Sequence, residues 1–390
     1  MVAPAAIALT LFFGAQELVL HMTQYTQDGA AQIVWTKRRW VRESSRWKVP
    51  QDKHLVFFMG DSKIAGGLIP EVFDRETGTT YSYNLSLPGM PLGPHYFLIE
   101  EYLKKNPPPK AIVMKLDLGL FEYFHFQNYA LRGVGIREAA EYAIWDGDGS
   151  ILVNFFFPIR YFWPDAKRYI VSRIYKALPP LIQDRIKRKY LENVEDRETY
   201  EHNWDAYFET LYVSPEKRTR DRRRVLEKKR GYYFFEEQAA LRGHLPRTYK
   251  HDLKKYPPKK LYDEDPYPYL EKLLKLAEIY GTRIILIQHY EHEHLRTKDS
   301  IPSLWRNVKA KHPKVMWADA RIKYYEPYYF SDPLHLTREG AEDYTGIIAS
   351  EYRKIMGGPT AEGMKSLPEK ISGVSGPPIR PTVLSNRPAA

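Results

Sequence analysis

The sequence predicts an α/β domain, in which a five-stranded parallel sheet is wrapped by helices on both faces and interrupted by a large, mainly helical insertion rich in aromatic and basic residues. Three observations predict it. Apolar runs of four to seven residues, the pattern of strands buried on both faces, alternate with segments of helical period. The alternation fails for about 150 residues between Leu118 and Asp265 and then resumes. At 390 residues the chain has room for one such domain, an insertion and a substantial core.

His54 to Met59 (HLVFFM) reads as the first buried strand by its apolar continuity, and Tyr81 to Leu87 (YSYNLSL) as a second, built from β-favouring residues. A helix over His95 to Lys105 stops at Asn106, before three prolines. Ala111 to Leu116 (AIVMKL) is the third strand. Tyr269 to Tyr280 carries Leu270, Leu273, Leu274 and Ala277 on one helical face, and Gly281 follows as its C-cap. Thr282 to Gln288 (TRIILIQ) and Val315 to Ala318 complete the sheet, and a last helix runs from Arg338 to about Met356. The α/β domain thus occupies residues 51–117 and 266–356, and residues 118–265 are the insertion. Within the insertion, Asn154 to Ile182 mixes clustered aromatics with Arg and Lys, which suits a lid, a membrane-facing helix pair or ordinary insertion core.

The ends differ from the middle. Ala3 to Ala15 is continuously apolar, shorter than the roughly 20 residues of a comfortable membrane span. A signal anchor is the expectation, with a buried amphipathic helix as its rival. The basic cluster Lys37, Arg38, Arg39 follows the run rather than preceding it, which on the positive-inside rule favours the opposite orientation to export. Residues 23–50 are polar, with three tryptophans among basic residues, and read as a spacer, so that residues 1–50 form an anchor and spacer. At the other end, 11 of the 34 residues from Gly357 to Ala390 are Pro or Gly, the composition of a disordered tail.

Composition excludes some chemistry. No cysteine is present, so disulfides, thiolate metal sites and thiol catalysis are ruled out. The net charge of +11 suits nucleic acid, an anionic membrane or acidic glycans. Glu216 to Arg230, with nine basic and three acidic residues, carries more than half of it. No nucleic-acid-binding signature accompanies that run, which reads as a solvated helix face or an anionic-surface contact, and nucleic acid is not an expected partner. His289, His292 and His294 with Glu291 and Glu293 lack the spacing of a helical zinc site, so pocket lining or a polar loop is expected there and no metal. Asp146 to Ser150 (DGDGS) lacks the Gly and closing Glu of a calcium loop and reads as a turn.

Chemistry concentrates in two stretches, Gly60-Asp61-Ser62 after the first strand and Asp332-Pro-Leu-His335-Leu-Thr337 before the last helix. A serine hydroxyl becomes a useful nucleophile when a base takes its proton and an acid holds that base in the right tautomer. His335 supplies the base and Asp332 the acid. Ser62, at a strand-to-helix turn, aims its own N–H at a developing oxyanion. Taken alone, Ser62 reads as a turn residue and His335 as a capping histidine; order and context join them.

Those blocks resemble the SGNH or GDSL hydrolase superfamily, flavodoxin-like serine esterases and acyltransferases whose first block is Gly-Asp-Ser and whose last is Asp-x-x-His. The resemblance covers residues 54–117 and 267–356. It implies a flavodoxin-like three-layer fold, a Ser62–His335–Asp332 triad and no cofactor. Asn84 to Gly89 (NLSLPG) resembles the second block, so Gly89 is expected to offer an oxyanion N–H beside that of Ser62. Asp61, Asn84, Asp117 and His289 are the expected pocket residues. The third block departs: Met114 to Glu122 reads MKLDLGLFE, without the family's oxyanion Asn, and Asp117 either lines the pocket or simply ends the strand. With its apolar start the chain resembles the membrane-anchored envelope branch, such as teichoic-acid D-alanylation and alginate-acetylation proteins. The implied partners are an acylated glycan or lipid, the membrane through the N-terminus, and a membrane-bound acyltransferase, with the domain facing the periplasm or cell exterior. A non-catalytic accessory protein of such a system is the rival expectation.

Overall fold

The computed structural model describes residues 14, 29–90, 92–115, 135–146, 149–156, 170, 173–192, 215–233, 268–292, 310–318, 323–331 and 334–357. The five apolar runs each form a strand: β1 (His54–Met59), β2 (Thr80–Asn84), β3 (Ala111–Lys115), β4 (Arg283–Ile287) and β6 (Met316–Trp317). They pair in parallel in the order β2-β1-β3-β4-β6. The chain therefore steps outward from β1 to β2, then crosses to β3 on the other side. A second, two-stranded sheet joins β5 (Tyr290–His292) to β7 (Lys323–Tyr325).

Alternation along β1 divides the core. Phe57 and Met59 face one side, where they pack with α4 (Leu92–Leu103), α9 (Pro268–Ile279) and α1 (Gly29–Arg42). Val56 and Phe58 face the other, against α2 (Ser62–Gly67), α3 (Pro70–Thr77) and α10 (Arg338–Met356). This is a three-layer α/β arrangement. α10 matches its expected span; Thr337 caps it by accepting from Gly340 N–H, and Gly357 ends it in the left-handed region at φ 71°.

Within the insertion the described helices include α5 (Ile136–Asp146), α6 (Ser150–Phe156), α7 (Pro180–Glu192) and α8 (Pro215–Lys228). Just past α8, residues 230–233 rejoin the domain. Asn84 N–H donates to Arg230 O at 2.8 Å and Tyr233 N–H to Ala65 O at 3.0 Å. Arg230 also pairs with Asp74 and lies 4.4 Å over the Tyr81 ring. The basic run is thus a helix whose end is tied to the edge of the sheet.

One expectation changes. The polar spacer contains α1, which joins the core through Ile33, Val34 and Val41. Trp47 packs beyond it, stacked on Tyr83 at 4.2 Å. Apolar side chains at helical spacing bury one face; Lys37, Arg38 and Arg39 between them made the stretch read as polar. The second strand also ends earlier than expected, at Asn84, though Leu85 and Leu87 still donate to Phe58 O and Gly60 O as the chain bends away. The apolar N-terminal run, apart from Gly14, and the Pro- and Gly-rich tail beyond Gly357 lie outside the described residues. Among the described residues no helix is long and apolar enough to cross a membrane.

Candidate active site

The β1 strand ends at Met59, and the next three residues build a tight turn into α2. A Cβ on Gly60 would lie 2.5 Å from Ile64 Cγ1, so the turn closes at its observed tightness only with glycine. Asp61 is the N-cap of α2: its Oδ1 accepts from Lys63 N–H at 3.0 Å. Ser62, half-buried, is the first residue of that helix. Its N–H belongs to the first turn, where backbone donors have no partner within the helix.

The other oxygen of Asp61 belongs to an ion pair. Lys115, the last residue of β3, places Nζ 2.9 Å from Asp61 Oδ2, with the lysine side chain fully buried and the aspartate 20% exposed. β1 and β3 are neighbours, so this pair spans the carboxyl ends of the two strands between which the sheet reverses its order. Such crevices are where open α/β sheets bind ligands. Lys115 is the second residue of the Met114 to Glu122 stretch, which lacks the expected oxyanion Asn, and it closes the apolar run of β3.

Asn84 ends β2 fully buried, and its position is structural. Its amide donates to Ile64 O at 2.8 Å and Leu68 O at 2.9 Å, while Oδ1 accepts from Ser86 N–H at 3.1 Å. It therefore fixes α2 against β2 through both of its side-chain polar atoms. Lys37 reaches the same loop from α1, donating to Ser86 O at 2.8 Å and approaching Asn84 Oδ1 at 3.5 Å. Burial pushes its pKa well below the ordinary lysine value. Gly89 follows on an exposed turn at φ 63°, a conformation that favours glycine.

His95 on α4 is a participant that the sequence did not single out. It is buried, and Nε2 lies 2.8 Å from Gly60 O, the oxygen to which Leu87 N–H also donates at 2.8 Å. A carbonyl only accepts, so the tautomer that fits carries its proton on Nε2, and the 3.2 Å approach of Leu87 N to that nitrogen follows from two donors converging on one oxygen. The turn before Ser62 and the loop leading to Gly89 are thereby held together.

His335 stands on the turn before α10 and is 9% exposed. Its own carbonyl accepts from Ser331 N–H at 2.8 Å and from Ser331 Oγ at 3.1 Å, and a bridge between Phe330 and Leu336 closes the turn. α10 then packs on α2 and α3. Thr345 Oγ1 lies 3.1 Å from Gly67 O and accepts from Ile69 N–H at 3.0 Å. Tyr290 adds a second link, donating to Lys63 O at 3.0 Å with its ring 5.1 Å from that of Tyr344. Burial first, and then the Asp61 charge, raises the Tyr344 phenol pKa.

The structure thus assembles Asp61, Ser62, Asn84, Lys115 and the Gly89 loop at one end of the sheet, with His335 on a turn whose helix is fastened to α2. Asp117 and Asp332 lie outside the described residues. His289 is buried near the end of β4 and shares a 2.7 Å contact from Nε2 to Glu291 Oε1. Among the described residues no group of three or more His, Asp or Glu stands ready for a metal ion. An open cleft of about 880 Å³, lined in part by Glu278, Arg283, His312 and Lys314, opens at the amino ends of β4 and β6, the opposite end from Ser62. No protein-family model matches the chain, and no curated protein matches it.

Proposed function

We propose that the chain is a serine hydrolase or O-acyltransferase of the SGNH type with a flavodoxin-like fold, moving a small acyl group such as acetyl through an ester on Ser62. The observation that carries this reading is that Ser62 opens a helix at the carboxyl end of β1, while His335 sits on the turn leading into the helix fastened to it. The strand order, reversing between β1 and β3, supports the fold assignment.

In the proposed reaction His335 takes the Ser62 proton as Oγ attacks the acyl carbon. The negative oxygen of the tetrahedral intermediate is met by the N–H groups of Ser62 and Gly89. Collapse expels the alcohol, which receives its proton from His335, and the acyl group remains as an ester on Ser62. Water resolving that ester gives hydrolysis; a glycan or lipid hydroxyl gives transfer. Asp332 is the acid that orients His335. Asp61 stays outside the proton path, being committed to the helix cap and to Lys115. The proposal extends to an acylated envelope glycan or lipid as substrate, a membrane anchor in the apolar N-terminus, a domain facing the periplasm or cell exterior, and a membrane-bound acyltransferase as partner.

The test is labelling by a fluorophosphonate probe of wild type, Ser62→Ala and His335→Ala, with the modified peptide identified by mass. Modification confined to Ser62 and lost in both variants is the expected result. Folded wild type that takes no label, together with full biological complementation by Ser62→Ala, would turn the assignment to a non-catalytic accessory role.

A further inference from the structure

A helical corner of the insertion exposes apolar and basic side chains on the same surface. Residues 173–177 are helical, the chain turns at Leu178-Pro179-Pro180, and α7 follows. The corner is locked from within: Gln183 Nε2 donates to Leu178 O at 2.8 Å, Ile182 N–H to Pro179 O at 2.9 Å, and the buried Tyr175 reaches Gln183 O at 3.4 Å. Its outside is different. Ile174, Leu181, Ile182 and Ile186 are 56%, 77%, 43% and 41% exposed.

Ile182 and Ile186 stand four residues apart and form one stripe of α7; Arg185 and Lys189, with the same spacing, form the exposed stripe beside it. From Arg173 to Glu192 the sequence has six basic residues against two acidic ones. Branched apolar side chains interleaved with long basic ones are what the boundary of an anionic bilayer accommodates: the aliphatic groups enter the acyl region while the cationic heads reach back to lipid phosphates. A protein partner fits less well, since the buried centre of a protein interface is depleted in lysine.

We propose that this corner, residues 173–189, is an interfacial docking site for an anionic lipid surface, with Leu181, Ile182 and Ile186 entering the bilayer boundary and Arg185, Arg188 and Lys189 meeting the headgroups. It is independent of the serine chemistry. It is also separate from any anchor in the apolar N-terminus, because it is built from a different part of the chain.

The absence of cysteine makes the test direct. Single variants Ile182→Cys and Leu181→Cys of the full chain carry an environment-sensitive fluorophore, and Lys314→Cys, on a lysine whose side chain is 85% exposed, is the control. Each is mixed with vesicles of phosphatidylcholine alone or with about 30% phosphatidylglycerol. The expected result is a blue shift at positions 181 and 182 with the anionic vesicles, reduced by salt and by replacing Arg185 and Lys189 with Gln, the pair weakening partition at least tenfold. The control keeps its emission. A label that stays in water while the chain co-sediments with anionic vesicles overturns the proposal, as does failure to co-sediment. Emission already shifted without vesicles also overturns it, assigning the face to another part of this chain or to a second copy. An equal shift with neutral vesicles overturns the anionic specificity.

Discussion

Lys37→Met isolates a fully buried amine whose hydrogen bonds run to two uncharged oxygens, Ser86 O and Asn84 Oδ1. Desolvation lowers its folded pKa well below 10.5. Between the folded and unfolded pKa values the unfolded chain holds one proton more than the folded chain, so this lysine makes stability rise with pH. The slope is at most about 1.4 kcal/mol per pH unit, which caps the change between about pH 8 and about pH 9.5 at about 2 kcal/mol. Methionine carries no such term. Whatever advantage or loss Lys37→Met shows at the lower pH must therefore move against the variant at the higher one, by up to about that amount. The absolute difference at either pH is less informative, because the substitution also leaves Ser86 O without its donor, at a cost of about 1–3 kcal/mol. Urea denaturation of both proteins at the two pH values supplies the numbers, and other titrating groups cancel in the difference. A stability difference that stays constant to within about 0.5 kcal/mol, or that moves in favour of Met, would refute the desolvated-amine account.

Three further substitutions test the turn that carries Ser62 and the return of the insertion. Asp61→Ala removes the carboxylate 2.9 Å from a fully buried ammonium and also the cap of α2, and should cost about 3–5 kcal/mol; Lys115→Met should cost less, because Asp61 keeps some water and its Lys63 N–H. In urea denaturation the double variant should fall short of the sum by about 1–3 kcal/mol, and strict additivity would mean that the pair is not coupled. Gly231 has φ 88°, and a Cβ there would lie 2.1 Å from Asn84 O. Gly231→Ala should therefore detach residues 230–233 from the sheet edge, exposing that stretch to limited proteolysis at a stability cost above about 2 kcal/mol; wild-type resistance would show that the edge tolerates a side chain.

The sheet was legible because strands buried on both faces leave unbroken apolar runs, as His54–Met59, Ala111–Lys115 and Arg283–Ile287 do. Expected boundaries moved where hydrogen bonding outlasts regular pairing: Leu85 and Leu87 look like strand residues and still donate to β1, yet the chain has begun to bend. α1 was hidden by its own composition. Lys37 occupies a core position in the helical pattern of Ile33, Val34 and Val41, and a lysine at such a position erases the periodic signal that would announce a buried face. Ser62 and His335 were legible as residue types in order. Lys115 and His95, which hold their surroundings, were not, because they act through contacts between elements distant in sequence.

Those hidden groups gather at one end of the sheet. Asp61 and Lys115 bridge the ends of β1 and β3, His95 grips the carbonyl of Gly60, and Lys37 and Asn84 pin the loop that leads to Gly89. Well-packed apolar residues in place of buried ion pairs and amines often stabilise a fold or leave it unchanged. Most of the largest fully buried side chains follow that rule, Phe57, Phe58, Phe73 and Phe97 beside Tyr290 and Tyr344, while Lys37 and Lys115 do not. A cluster of desolvated polar groups at the carboxyl ends, where the backbone donors of Ser62 and Gly89 also lie, is a local departure from the logic of the core. Stability alone does not call for it. The proposed serine chemistry does, because it needs rigid placement of two loops that present donors and a nucleophile to one substrate.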